Sequence, residues 1–126
     1  MDGMSDLYVR LAYESEEAGA EWLVRVFGFR EYERKVNPGG STLIWLEHDG
    51  GVVMICRVGL GLHTPRQLGG TSQKVNVYVA DVDAHHAHAT AEGAVVERPL
   101  ETTPYGERRY EVIDPDGHWW HFTQRL

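Results

Sequence analysis

"DPDGHWWHFTQ", Asp114 to Gln124, begins as a tight turn and continues as a strand of alternating bulky residues. Its counterpart lies in the first half of the chain. "HDGGVVMICRV", His48 to Val58, repeats the turn and the alternation, with Gly50 and Gly117 67 residues apart. The same spacing recurs upstream. "LYVRLAY" and "KVNVYVA" align with Tyr8 and Lys74 66 apart, and the helical stretches that follow end at Gly28 and Gly93, 65 apart. Few residues are identical between the halves, so what repeats is a pattern: a strand, a helix of about three turns, then paired strands.

Local signals support each element. Ser15 is placed to cap the first helix, with Glu16 and Glu17 in the first turn where the helix dipole favours acids. Trp22, Leu23, Val26 and Phe27 form its apolar stripe. Asp81 or Asp83 can cap the second helix, which is poorer in apolar residues and carries three histidines. "NPGGS" and "TTPYGE" read as loops, and Gly59–Ser72, "GLGLHTPRQLGGTS", as a flexible linker or lid. That linker lacks the Gly-Lys-Ser/Thr ending of a phosphate-binding loop. The expectation is one domain over residues 1–126, with module one at about 5–58, the linker at 59–72 and module two at 73–126.

Bulk properties narrow the function. A chain of 126 residues with 42% apolar and 25% charged residues suits a single globular core. The net charge of −7 argues against a nucleic-acid surface. Cys56 is the one cysteine, so no disulfide forms within the chain. The start "MDGMSDLY" has no basic and apolar leader pattern, and no apolar run reaches membrane length, which predicts a cytoplasmic protein with no membrane partner.

Two strand–helix–strand–strand–strand units resemble the vicinal oxygen chelate superfamily, which includes glyoxalases, bleomycin-resistance proteins and dioxygenases. The resemblance is strongest in "VYVADVDAHHAHATAEGA" and "PYGERRYEVIDPDGHWWHFTQ". It implies an α+β fold in which two βαβββ modules form a curled mixed sheet, a cup, with the helices outside. It also implies a homodimer.

Period-two alternation sorts the strands of such a cup. Leu7, Val9 and Leu11 should face the helix, leaving Tyr8, Arg10 and Ala12 for the cup. Val75, Val77 and Val79 are the matching core set, with Lys74, Asn76 and Tyr78 opposite. On the last strand Trp120 and Phe122 point one way, and Trp119, His121 and Thr123 the other. His118 and His121, three apart, therefore fall on opposite faces and cannot chelate one ion together.

Members of the superfamily that use a metal hold it from the first and last strands of both modules. Those positions here are Tyr8, Met54, Lys74 and His121, of which only His121 is a good donor for a divalent ion. No metal and no cofactor are expected. Cys56 lies on the cup side and, with no identifiable base partner, reads as an inert thiol. Trp45 reads as core, His85 and His88 as a solvated helix face, while His48 and His63 fall in a turn and the linker. Arg108 and Tyr110 share a strand face, where fixing the "PYG" turn competes with ligand contact.

Two classes of function fit this cup. In the first, a binding protein holds a flat or aromatic small molecule, an antibiotic or secondary metabolite, with Tyr8, Tyr78 and Trp119 as stacking faces. Arg10, Met54, Lys74, Asn76, Arg108 and His121 complete that ligand set. In the second, a metal-independent lyase or isomerase uses His121 as general base, with Lys74 or Arg10 stabilising an anion. A metal-dependent lyase of the glyoxalase type is the third reading.

Overall fold

The computed structural model describes residues 5–126. Ser15 caps α1 (Glu16–Phe27) by accepting from the Ala18 amide, and Gly28 ends it in the left-handed region at φ 79°. β1 (Val9–Tyr13) precedes this helix, while β2 (Arg30–Val36), β3 (Thr42–His48) and β4 (Gly51–Arg57) follow it. A single helical turn, α2 (Pro65–Leu68), interrupts the linker. Module two repeats the order with β5 (Lys74–Tyr78), α3 (Val82–Ala91), β6 (Val96–Thr102), β7 (Glu107–Ile113) and β8 (Trp119–Arg125). Asp81, rather than Asp83, caps α3. The fold is α+β, two βαβββ modules, as the repeat implies.

The strand order is β1-β4-β3-β2 in one sheet and β5-β8-β7-β6 in the other. In each sheet the first strand, at one edge, pairs parallel with the last, and the registers match: Val9 lies opposite Val53, and Val75 opposite Trp120. The spacings of 66 and 67 residues in the sequence map one pair onto the other. Within one chain the cup comes as two four-stranded halves with no ladder between them. Among the described elements, α1 and α3 are the pair whose backbones meet across the modules.

One core runs through both modules. Leu11, Leu23, Val26, Ile44, Trp120 and Phe122 are almost fully buried in it. Phe27 joins the halves, its ring 4.6 Å from Phe122 and 5.4 Å from Trp120. This places Trp120 and Phe122 on the helix side, as alternation requires. Leu7 and Val9 depart from the expectation. They are 83% and 43% exposed, because α1 does not reach the start of β1. There the modules diverge around a gap of about 580 Å³ lined by Leu7, Val9, Val53, Val75 and Val77, among others.

Polar contacts lock the modules where the core thins. The Asp114 carboxylate, fully buried, accepts the Tyr13 hydroxyl at 2.6 Å, the Trp120 indole N–H at 3.0 Å and the His118 amide at 2.9 Å. Histidines act as staples between modules by donating to backbone carbonyls. His118 reaches Ala12, His85 reaches Phe27, His88 reaches Arg25, and His48 reaches Tyr78 in the opposite direction. His85 therefore departs from the expected solvated face, being half-buried, while His88 stays exposed. Both face module one. α2 covers the β7–β8 turn: the Arg66 amide bonds the Asp116 carbonyl, and a Cβ on Gly117 (φ 98°) would meet that amide at 2.9 Å.

His85 makes this junction sensitive to acid. Burial pushes its pKa down from 6.5 to about 4, and the Tyr110 hydroxyl, 2.6 Å away, donates to its bare Nδ1. The unfolded imidazole takes up a proton near 6.5, and the folded one only near 4. Stability is therefore complete above the higher value and falls as pH drops through that window, by roughly 3 kcal/mol. Calorimetry across the window should show this loss, and His85→Gln should flatten it.

Candidate functional site

The faces turned away from the helices differ in character. On module one, Ala12, Trp45, Val52, Met54 and Cys56 form an apolar cluster with Tyr32 and Leu43 packed against it. Trp45 is buried, but in this second cluster rather than in the main core, because its β3 position pairs with Met54. Tyr8 stands edge-on to Trp45 at 6.5 Å, and Lys35 lies over the Trp45 ring at 5.6 Å. Arg10 is exposed beside Met54 in register.

Module two presents polar groups organised by a residue that the sequence reading passed over. Glu111 lies on β7 opposite His121, with its side chain 1% exposed. Its carboxylate accepts Nδ1–H of His121 at 2.5 Å, the Trp119 indole N–H at 2.8 Å and the Lys74 ammonium at 3.1 Å. Arg98 adds a charge at 3.9 Å. Burial alone would push the carboxyl up, but the hydrogen bonds from His121, Trp119 and Lys74 outweigh it and hold the pKa down at about 2. The Lys74 ammonium also lies over the Trp119 ring, 5.0 Å from its centroid. Trp119 is thus fixed at its edge and on its face.

Of the residues singled out in the sequence, Lys74, Trp119 and His121 are brought together on this carboxylate, with Asn76 beside His121 in register. Tyr78 lies on the same face further along β5, where its hydroxyl donates to Glu107 and Arg125 stacks on its ring at 3.6 Å. Tyr8, Arg10 and Met54 are on module one, and no ladder connects the two groups. Arg108 does not join either. It faces α3, where it pairs with Asp83 at 3.0 Å and donates to Thr102. Its position opposite Gln124, two residues from the Tyr110–Phe122 pair and so on the same face as Tyr110, lies on the far side of the strand from Glu111.

Two buried side-chain atoms among the described residues lack a partner, the Tyr32 hydroxyl and Nε of Arg109. Tyr32 packs against the module one cluster, and Arg109 is two residues before Glu111 on the same strand face. Each is a donor that an ordered water or a bound molecule must satisfy.

A model of the Glyoxalase/Bleomycin resistance protein/Dioxygenase superfamily matches residues 7–122. The chain belongs to this superfamily. Among solved structures, TioX from Micromonospora sp. ML1 is 40% identical with a TM-score of 0.76, covering 97% of both chains. TnmS3, an antibiotic binding protein from Streptomyces sp. CB03234, superposes with a TM-score of 0.76 over 100% of this chain and 99% of its own. Its identity is 18%, so that likeness concerns the fold. A protein of Mycobacterium bovis is 32% identical over 120 residues, which is 90% of this chain and 79% of its own.

The metal position of the superfamily can be tested on donor chemistry. Tyr8, Met54 and Lys74 offer no imidazole or carboxylate, and the ammonium of Lys74 already occupies the carboxylate nearest His121. No three His, Cys, Asp or Glu side chains converge among the described residues. These residues do not fit a divalent ion. The alternation that picked out Trp119 and His121 could also have picked out Glu111, since "RRYEV" places it opposite the buried Tyr110 and Val112.

Replacing Glu111 tests the cluster as a structural unit. Glu111→Gln keeps the size but leaves three donors competing for one amide oxygen, at a cost of roughly 1–3 kcal/mol in urea denaturation. In the folded protein this carboxyl stays ionised well below its ordinary 4.5, so its contribution is present above that value and lost as pH falls toward about 2. The variant should lack that acid-dependent component.

Proposed function

We propose that the protein binds a flat, aromatic small molecule, an antibiotic or another secondary metabolite, against the helix-free faces of its modules and does not transform it. The observation that carries this reading is the fixed Trp119. A large aromatic ring held by Glu111 and Lys74 binds a flat partner with little further ordering, and ordering is a main cost of association. The apolar face around Trp45 and Met54 provides the complementary surface. The fold itself is compatible with such a role, since an antibiotic-binding protein shares it.

We infer further that a homodimer completes the cup. Edge strand β2 is guarded by Arg30, Glu31, Glu33, Arg34 and Lys35, and edge strand β6 carries Pro99. The edges of β1 and β5 are less guarded and expose Val9, Tyr8 and Tyr78. These are the edges a second copy would cover, bringing the aromatic face of one chain beside the Glu111 cluster of another. No helix is long and apolar enough to cross a membrane among the described residues.

A second reading rests on the Glu111–His121 contact. With Nδ1–H donating to a carboxylate, His121 resembles an oriented general base, as a metal-independent lyase or isomerase would need.

Measurements on two variants and on the wild type test these statements. Trp119→Ala should weaken binding of the flat ligand by on the order of 1–3 kcal/mol in a tryptophan-quenching titration, and unchanged affinity would place the ligand elsewhere. His121→Ala should cost a binder about 1 kcal/mol, whereas an enzyme would lose about a hundredfold or more in rate with affinity retained. Sedimentation at low micromolar concentration should give a dimer. In the same preparation zinc, nickel, iron and manganese should be substoichiometric, and chelator should leave Tm unchanged.

A further inference from the structure

The cluster on β5, β7 and β8 has a directional consequence for ligand choice. Glu111 is held ionised by its surroundings, and an ionised carboxylate only accepts hydrogen bonds. Whatever lies against it must donate. The His121 ring approaches through Nδ1 at 2.5 Å, so Nδ1 carries the proton. Trp119 and Lys74 take up the remaining acceptor positions, and Lys74 supplies the positive charge that the carboxylate requires. In the neutral imidazole the other nitrogen, Nε2, is then a bare lone pair. Among the described residues it has no hydrogen-bond partner, and the His121 side chain is 19% exposed. The same face carries the Trp119 ring two residues earlier on β8.

We propose that Glu111 is a positioning residue that sets His121 as a hydrogen-bond acceptor beside Trp119, and that the site thereby selects flat aromatic ligands carrying a ring hydroxyl or ring N–H. This rests on the aromatic-binding reading above and adds to it a polarity: an acceptor on the protein, a donor on the ligand edge. The methyl ether of a phenol keeps the ring and loses the donor. It leaves the Nε2 lone pair desolvated and unmatched, which costs more than the missing bond alone.

The test has two arms in one NMR sample of the full chain at about pH 8. Nitrogen–proton correlations of the His121 ring, assigned with His121→Ala, report which nitrogen is protonated. The wild type should show the Nδ1–H tautomer, and Glu111→Gln should move the ring toward Nε2–H, a change that a merely structural carboxylate would not produce. β-Naphthol and its methyl ether are then titrated. The ether should bind about tenfold more weakly than the naphthol to the wild type, and the difference should shrink in Glu111→Gln. An Nε2–H tautomer in the wild type overturns the proposal outright, whether or not the variant folds. Equal affinity for the two compounds overturns the selectivity while the aromatic reading survives. If neither compound binds and the tautomer is Nδ1–H, the aromatic reading falls and the positioning role of Glu111 stands.

Discussion

The Asp114 carboxylate is the point on which the two halves of the molecule close. It is fully buried, and burial pushes its pKa up, against the pull of the groups donating to it. One donor, the Tyr13 hydroxyl, comes from module one, and the Trp120 indole comes from β8. Removing either donor leaves a buried carboxylate short of a partner, which costs far more than an exposed hydrogen bond. The same carboxylate accepts the Asp116 and His118 amides, so it shapes the "DPDG" turn as well as the junction.

Fixing that turn fixes the register of β8, and the register decides the site. A strand shifted by one residue exchanges its faces. With Trp120 held inward by Asp114, Trp119 and His121 must point outward, and there Glu111 receives them. The adjacent tryptophans are therefore held by two different buried carboxylates on opposite sides of one sheet. The inner one closes the core, and the outer one prepares a surface.

Much of this was legible in the sequence because it depends on period and spacing. The 66- and 67-residue offsets anticipate the parallel registers, and alternation in "HWWHF" separates Trp119 and His121 from Trp120 and Phe122. What was hidden depends on contacts between modules. His48, His85, His88 and His118 all act on backbone carbonyls of the other module, and a carbonyl leaves no residue type to read. Leu7 fits the core pattern but is exposed, because periodicity gives a face and not the extent of the helix that covers it. Arg108 was a motif residue, and its partner Asp83 lies on α3, 25 positions away. Glu111 was visible to alternation, but its role as a shared acceptor required knowing that β8 lies between β5 and β7.

The cluster also bears on what chemistry the cup can support. General acid catalysis at neutral pH needs a carboxyl that retains its proton, raised toward the operating range by burial. Glu111 is buried, yet three donors hold its pKa near about 2, so it has no proton to deliver. Lys74 is committed to the same carboxylate and to the Trp119 face. A reaction here would have to run on His121 alone, taking a proton from one atom and returning it to another within a single encounter. A binding site asks for nothing to move: the ring is fixed, the acceptor is oriented, and the charges are balanced before a ligand arrives. Rigidity of this kind lowers the cost of binding and confers no advantage on a proton shuttle. The geometry therefore favours capture over turnover.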